Sequence, residues 1–216
     1  MRAEPGLRER KKQQTREAIA TAAFDLFSER GFDSVRVAEV ARKANVSEAT
    51  VFNYFPTKED LIYSGWRAFE TGLLEAVRER DRQQSILDAF RGFLRGQQGL
   101  LGSRDPGDAE KLLSITRIIT GSPSLLARER MIHDEYTRSL ARLIAEEASA
   151  EPDDLEPWIV ANALVGVQRA LLDFTRTNVL AGKAGLQLAR RVRAEAERAF
   201  ALLDRGLGGY PGRPSS

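Results

Sequence analysis

The stretch Val37-Ala38-Glu39-Val40-Ala41-Arg42-Lys43-Ala44-Asn45-Val46-Ser47-Glu48-Ala49-Thr50-Val51-Phe52-Asn53-Tyr54 has the spacing of two short helices packed across a tight turn. Such a unit needs a small residue where the helices touch, a turn residue tolerant of the left-handed region, and apolar residues that set the crossing angle. Ala41 is the small residue. Asn45 stands four positions later, and asparagine follows glycine as the best choice for positive φ. Val51 comes six positions after that, with Val37, Val40, Val46 and Phe55 as further packing. Ser47 is placed to cap the second helix. The pattern predicts helices over roughly 35–43 and 47–54, forming a helix-turn-helix whose second helix enters the major groove of DNA.

Helical signals continue on both sides. Upstream, Ile19, Ala22, Ala23, Leu26 and Phe27 recur at i, i+3, i+4, i+7 and i+8, and Gly31 is a stop signal, so a helix is expected from about Leu7 or Arg10 to Arg30. Downstream, Pro56 ends the second short helix, and Thr57 with Asp60 forms a capping box. That box opens one expected linker helix over 57–80, running through Leu61, Ile62, Trp66 and Phe69. Further helices are predicted over 83–101, 108–120, 123–149, 153–179 and 183–205, separated by glycine and proline breaks. Strand signals are scarce, which argues for an all-α protein. The expected organisation is an arm and DNA-binding domain over 1–56, the linker over 57–80, a larger domain over 81–205, and a disordered tail over 206–216, rich in Gly, Pro and Ser.

Composition narrows the function. The 216 residues are 42% apolar, enough for a sizeable core, and contain no cysteine. Disulfides, thiolate metal sites and cysteine nucleophiles are thereby excluded, and a reducing compartment fits. One histidine, no Gly-rich phosphate loop and no zinc-binding histidine pair leave little equipment for an enzyme. No metal or cofactor is expected. No apolar run approaches the roughly 18 to 20 residues that span a bilayer, and Met1 to Thr15 lacks the apolar core of a secretory signal. A soluble, cytoplasmic protein without a membrane partner is therefore expected. Residues 1–58 carry 11 Lys/Arg against 8 Asp/Glu, whereas the remainder carries 22 against 23. Positive charge gathers at the end that would meet a polyanion.

Residues 10–65 resemble the tetracycline-repressor (TetR) family. The resemblance rests on Thr15-Arg16 before an Ala-Ala-x-x-Leu-Phe helix, Gly31-Phe32, Val40-Ala41-x-x-Ala44-Asn45-Val46-Ser47, and Thr50-Val51-Phe52-x-Tyr54-Phe55-Pro56-x-Lys58-x-x-Leu61. It implies about nine helices, a homodimer on double-stranded operator DNA, and a C-terminal domain that binds a small-molecule effector. By position, Ser47, Glu48, Ala49 and Phe52 match residues facing base edges, and Thr50, Tyr54 and Lys58 match phosphate contacts. The sequence departs from the family at Asn45, where Gly is usual, at Phe52, where Tyr is usual, and at Arg36, which replaces a capping Thr and is itself suited to phosphate or guanine. Phe52 is either core or a thymine-methyl contact. Arg10, Lys11, Lys12 and Arg16 read as a DNA-binding arm or as solvated charge.

The last two helices look built for pairing. Ala189, Val192, Ala196, Ala199 and Leu203 form a narrow seam on one; Val160, Leu164, Val167, Leu171 and Phe174 form a seam on the other, with Ala163, Gly166 and Ala170 on a second face. A homodimer through helices near 153–179 and 183–205 is expected. For the effector, Phe90, Phe93, Leu94, Leu113, Ile115, Ile118, Tyr136, Trp158 and Phe174 are candidate apolar contacts, with Arg117, Arg169, Asp173 and His133 as polar ones. The segment from Ile118 to Leu125 and that from Ala163 to Arg169 resemble mycofactocin-type, acyl-CoA-responsive regulators, implying a lipophilic or acyl ligand. The expected function is a repressor released from its operator by that ligand. The alternatives are a non-specific architectural DNA-binding protein and a small-molecule enzyme.

Overall fold

A computed structural model describes residues 6–97 and 99–207, with the side chains of Leu7 and Leu207 left aside. Among these residues there are ten α-helices: α1 (Leu7–Arg30), α2 (Val37–Lys43), α3 (Glu48–Tyr54), α4 (Asp60–Tyr63), α5 (Trp66–Arg78), α6 (Ile86–Gly96), α7 (Pro106–Thr120), α8 (Pro123–Ala148), α9 (Glu156–Leu180) and α10 (Gly185–Leu207). A 3-10 turn, Gly99–Gly102, lies between α6 and α7. The all-helical expectation holds, with ten helices where the resemblance implied about nine. The difference lies at Ser64-Gly65, which divides the expected linker into α4 and α5. Of the expected tail 206–216, Gly206 and Leu207 end α10, and 208–216 lie outside the described residues.

The chain divides into two compact units, one of Met1–Gly65 with Arg117–Arg128, the other of Trp66–Thr116 with Glu129–Ser216. In the first, Ile19, Ala23 and Phe27 of α1 are buried with Phe32, Val40, Val51 and Phe55. Each large apolar side chain withdrawn from water in this way contributes about 1.5–3 kcal/mol. The turn between α2 and α3 is built as its composition requires. Asn45 adopts φ 55°, and the amides of Asn45 and Val46 donate to the carbonyls of Arg42 and Ala41 at 3.1 and 2.9 Å. These are the two bonds of a Schellman motif, which satisfy the last carbonyls of α2.

The segment 117–128, the tip joining α7 to α8, belongs to this unit. Ile118, Ile119 and Leu125 are buried. The Tyr63 hydroxyl donates to the Leu125 carbonyl at 3.2 Å, and Ser122 and Ser124 both donate to Asp33 Oδ1, at 2.9 and 3.0 Å. Arg128 lies 3.6 Å from Asp60.

In the second unit, α5 packs on α6, and α10 packs on α9, α6 and the 3-10 turn. Gly72 lets α6 approach α5, since a Cβ there would meet the Phe93 ring at 3.1 Å. Leu73, Phe90, Tyr136, Leu140, Ile144, Leu164 and Phe200 form the core. Two shielded ion pairs cross it: Arg80 with Glu147 at 2.5 Å and Arg176 with Glu129 at 2.5 Å. Both arginines make further hydrogen bonds, as charges removed from water require.

Candidate DNA interface and ligand cavity

Ser47 Oγ accepts from the Thr50 amide at 3.0 Å and lies 2.8 Å from the Thr50 hydroxyl, so α3 starts on the expected cap. Val51 faces the core, while Ser47, Glu48, Ala49, Phe52 and Asn53 are exposed. Phe52 is 45% exposed, so its apolar ring is turned to solvent rather than serving as core. Thr50 and Tyr54 are half-buried. At α2, Arg36 occupies the cap position with an exposed side chain and makes no side-chain cap. Glu39 instead accepts from the Arg36 amide at 2.9 Å and pairs with Arg30 at 2.7 Å. These two partners hold the Glu39 carboxyl below its usual pKa, the Arg36 amide contributing most.

Arg10, Lys11, Lys12 and Arg16 all lie on α1, which begins at Leu7, so what was expected as an arm is helical here. Arg8, Glu9, Lys11 and Lys12 share a shallow surface groove with Thr15, Asn53 and Tyr54. Asn53, missed in the sequence, thus joins Tyr54 as an α3 residue beside α1. Its signal was the i+3 spacing from Thr50. Arg16 turns inward: its Nη1 donates to the Tyr54 carbonyl at 3.1 Å, and its guanidinium stacks 4.6 Å from the Phe55 ring centre. Lys58 also turns inward. Its ammonium donates to the Phe32 carbonyl at 2.7 Å and sits 4.2 Å from the Phe32 ring. Burial lowers its pKa, partly offset by Asp33 and Glu59.

The second unit holds a cavity of about 400 Å³. Most of its wall is apolar, formed by side chains such as Leu94, Ile115, Leu171, Val192 and Phe200, with Gln97, Gln168, Thr175, Arg193 and a cluster of Arg91, Arg95 and Glu197 as polar members.

Residues 19–63 match the family model "Bacterial regulatory proteins, tetR family". Residues 85–206, more than half of the chain, match the model "MftR C-terminal domain". The chain belongs to the TetR family. It is a DNA-binding transcriptional regulator with an MftR-like C-terminal domain, and the enzyme alternative falls with that assignment. Similar proteins include the transcriptional regulator TcmR of Streptomyces glaucescens, 28% identical over 77% of this chain and 75% of that protein. MftR of Mycobacterium tuberculosis is 26% identical over 73% of this chain and 78% of its own length. Among solved structures, NalD of Pseudomonas aeruginosa, the secondary repressor of the MexAB-OprM efflux pump, superposes with a TM-score of 0.58. It is 21% identical, over 88% of this chain and 96% of that one, a likeness of fold.

Of the residues expected around the effector, Leu94 and Ile115 line the cavity, whereas Phe90, Tyr136, Trp158, Phe174, Arg117, Arg169 and Asp173 do not. Phe90 and Tyr136 are fully enclosed, Phe90 against Phe200 and Tyr136 against Trp66, Phe69 and His133. Trp158, Arg169 and Asp173 lie on the exposed side of α9, and Phe174 is half-buried beneath the Arg191 guanidinium. Arg117 falls in the other compact unit. The regulator instead uses the expected α10 pairing seam here: Ala189, Val192 and Ala196 are cavity wall. A narrow seam of small side chains leaves space when it faces larger neighbours inside its own chain. Arg91 and Arg95, one turn apart on a helix rich in apolar residues, and Gln168 in an apolar run were the available signals for this site.

Proposed function

We propose that this regulator is a homodimeric repressor, working in the cytoplasm, that leaves its operator when a small lipophilic or acyl molecule occupies the C-terminal cavity. The DNA-binding work is assigned to the unit that holds α1 to α4, and effector binding and dimerisation to the unit containing α9 and α10. Ser47, Glu48, Ala49 and Phe52 face base edges; Arg36, Thr50, Tyr54, Lys11 and Lys12 reach phosphates. Two such helices must enter successive major grooves about 34 to 36 Å apart, so a ligand favouring another spacing lowers operator affinity by linkage. The effector half of this reading is carried by the cavity itself, whose size and largely apolar wall suit a small organic molecule. The dimer half is supported by the outer face of α9, where Ile159, Asn162, Gly166 and Ala170 are exposed in one stripe.

The test is fluorescence anisotropy on the DNA beside the regulator's own gene and on a shuffled duplex of equal composition, at fixed salt. The expected result is at least about 1,000-fold preference for the natural duplex. Equal binding to both would return the reading to a non-specific binder. An Ala196→Trp variant, which fills the cavity, should still repress a reporter but lose its induction; unchanged induction would move the effector elsewhere.

A further inference from the structure

Arg91 and Arg95 project from α6 toward Glu197 on α10. Arg95 Nε donates to Glu197 Oε1 at 2.7 Å, and Arg91 Nη2 donates to Oε2 of the same carboxylate. All three residues lie in the cavity wall together with Arg193, so the wall carries three guanidiniums and one carboxylate. Arg95, and then Arg91, hold the Glu197 carboxyl down to about 2, so the group is ionised throughout the physiological range. The Arg91 Nε–H is buried and has no acceptor. Gln168, the buried polar member of the wall, accepts the Tyr136 hydroxyl on its Oε1, which leaves its amide hydrogens as the remaining function. Apart from the half-buried Thr175, whose hydroxyl donates to the Leu171 carbonyl, and the exposed Gln97, the unused polar capacity of this cavity is donor capacity with an excess of positive charge, against an apolar remainder.

We propose that the cavity selects an amphipathic organic anion, an apolar skeleton bearing a carboxylate that takes the place of Glu197 on Arg91 and Arg95. This rests on the reading that the cavity is the effector site. Exchanging one carboxylate for another conserves the charge-assisted hydrogen bonds, and the displaced Glu197 side chain, already 30% exposed, returns to water. Net affinity then comes from burying the apolar skeleton. A neutral ligand leaves the ion cluster closed, and a cation meets three guanidiniums. The exchange also releases the only ion pairs found among the described residues between α6 and α10, which supplies the state-dependent contact that a ligand-driven shift needs.

The test is isothermal titration calorimetry on the full-length regulator with probe pairs sharing a skeleton: decanoate against 1-decanol, and 1-naphthylacetate against 2-(1-naphthyl)ethanol. In at least one pair the acid is expected to bind at least tenfold tighter than the alcohol. Glu197→Gln, which removes the competing carboxylate, should tighten that acid three- to tenfold and leave the alcohol unchanged. Arg91→Met with Arg95→Met should abolish the preference, with circular dichroism reporting the fold. If that double variant does not fold, Glu197→Gln decides alone, since it keeps both arginines. Alcohols binding as well as acids in both pairs, or Glu197→Gln leaving acid affinity unchanged or weaker, would overturn the proposal while the cavity stands as effector site. No heat from any of the four probes would overturn both.

Discussion

Lys58 Nζ lies 2.7 Å from the Phe32 carbonyl oxygen, and Asp33 is the charge that acts on it most strongly. Its position in the sequence matches a phosphate contact, yet its ammonium already has a partner inside the fold. Lys58→Met should therefore cost about 1–2 kcal/mol, a drop of several degrees in Tm. It should change the salt dependence of operator binding by less than about half a unit. Lys12, exposed beside the α3 groove, predicts the reverse. Lys12→Ala should leave Tm alone and flatten the slope of log K against log salt by about one unit for each protomer bound. Denaturation curves and a salt series on one operator duplex check both. His133 carries a separate prediction. It is 3% exposed, its Nε2 has no partner, and its ring meets Trp66 edge-on at 5.2 Å. Desolvation lowers its pKa below 6.5, Glu129 and Asp134 opposing that shift and Arg169 and Arg176 adding to it. The unfolded chain then binds the proton more readily than the folded one, so stability falls as pH drops from 6.5 toward the lower folded value. Thermal melts between pH 8 and 5 should show that decline, and His133→Phe should make it shallower.

At the scale of elements, the α2–α3 turn was legible because its requirements are local. One residue must reach positive φ, two amides must return to the carbonyls of α2, and Asn45 with Val46 does both. Asn45→Ala should cost about 1 kcal/mol, since alanine loses the local polar compensation that asparagine has in the left-handed region, whereas Asn45→Gly should be neutral or slightly stabilising. Urea unfolding at constant m-value measures the difference. The break between α4 and α5 was only faintly legible. The stretch from Leu61 to Phe69 holds no proline, and its Ser64-Gly65 pair, a turn signal, is outweighed by the helical spacing on either side. What coincides with the break is long-range: Tyr63 is anchored to the Leu125 carbonyl, 62 residues away, and the chain passes from one unit to the other at Gly65. The α10 seam was read correctly as narrow and apolar, but a seam does not say which chain covers it.

For the whole molecule, the exposed stripe on α9 makes a sharp prediction. A Cβ added at Gly166 meets nothing within 4 Å in the protomer, so a side chain there is free of clashes in a monomer and helps the helix by about 1 kcal/mol. In a dimer closed on that face, Gly166→Arg should weaken self-association by at least about 100-fold with helical content intact. Analytical ultracentrifugation against circular dichroism distinguishes the two, and an unchanged dimer would move the interface to another face. The chain crosses between its units after Gly65, Thr116 and Arg128, so α7 and α8 are shared by both. Ile118, Ile119, Ser122 and Leu125, read from their residues as part of the larger domain, are buried in the smaller unit, where Ser122 donates to Asp33 and the Leu125 carbonyl accepts from Tyr63. Helix positions, caps, the left-handed turn residue and the exposed face of α3 follow from neighbours within one or two turns, and a linear pattern holds that information. The cavity, the inward commitment of Lys58 and Arg16, and the pairing of Arg91 with Glu197 across 106 positions depend on how distant helices pack. Non-local packing leaves no periodic mark in the chain, so those features appear only once the helices are assembled.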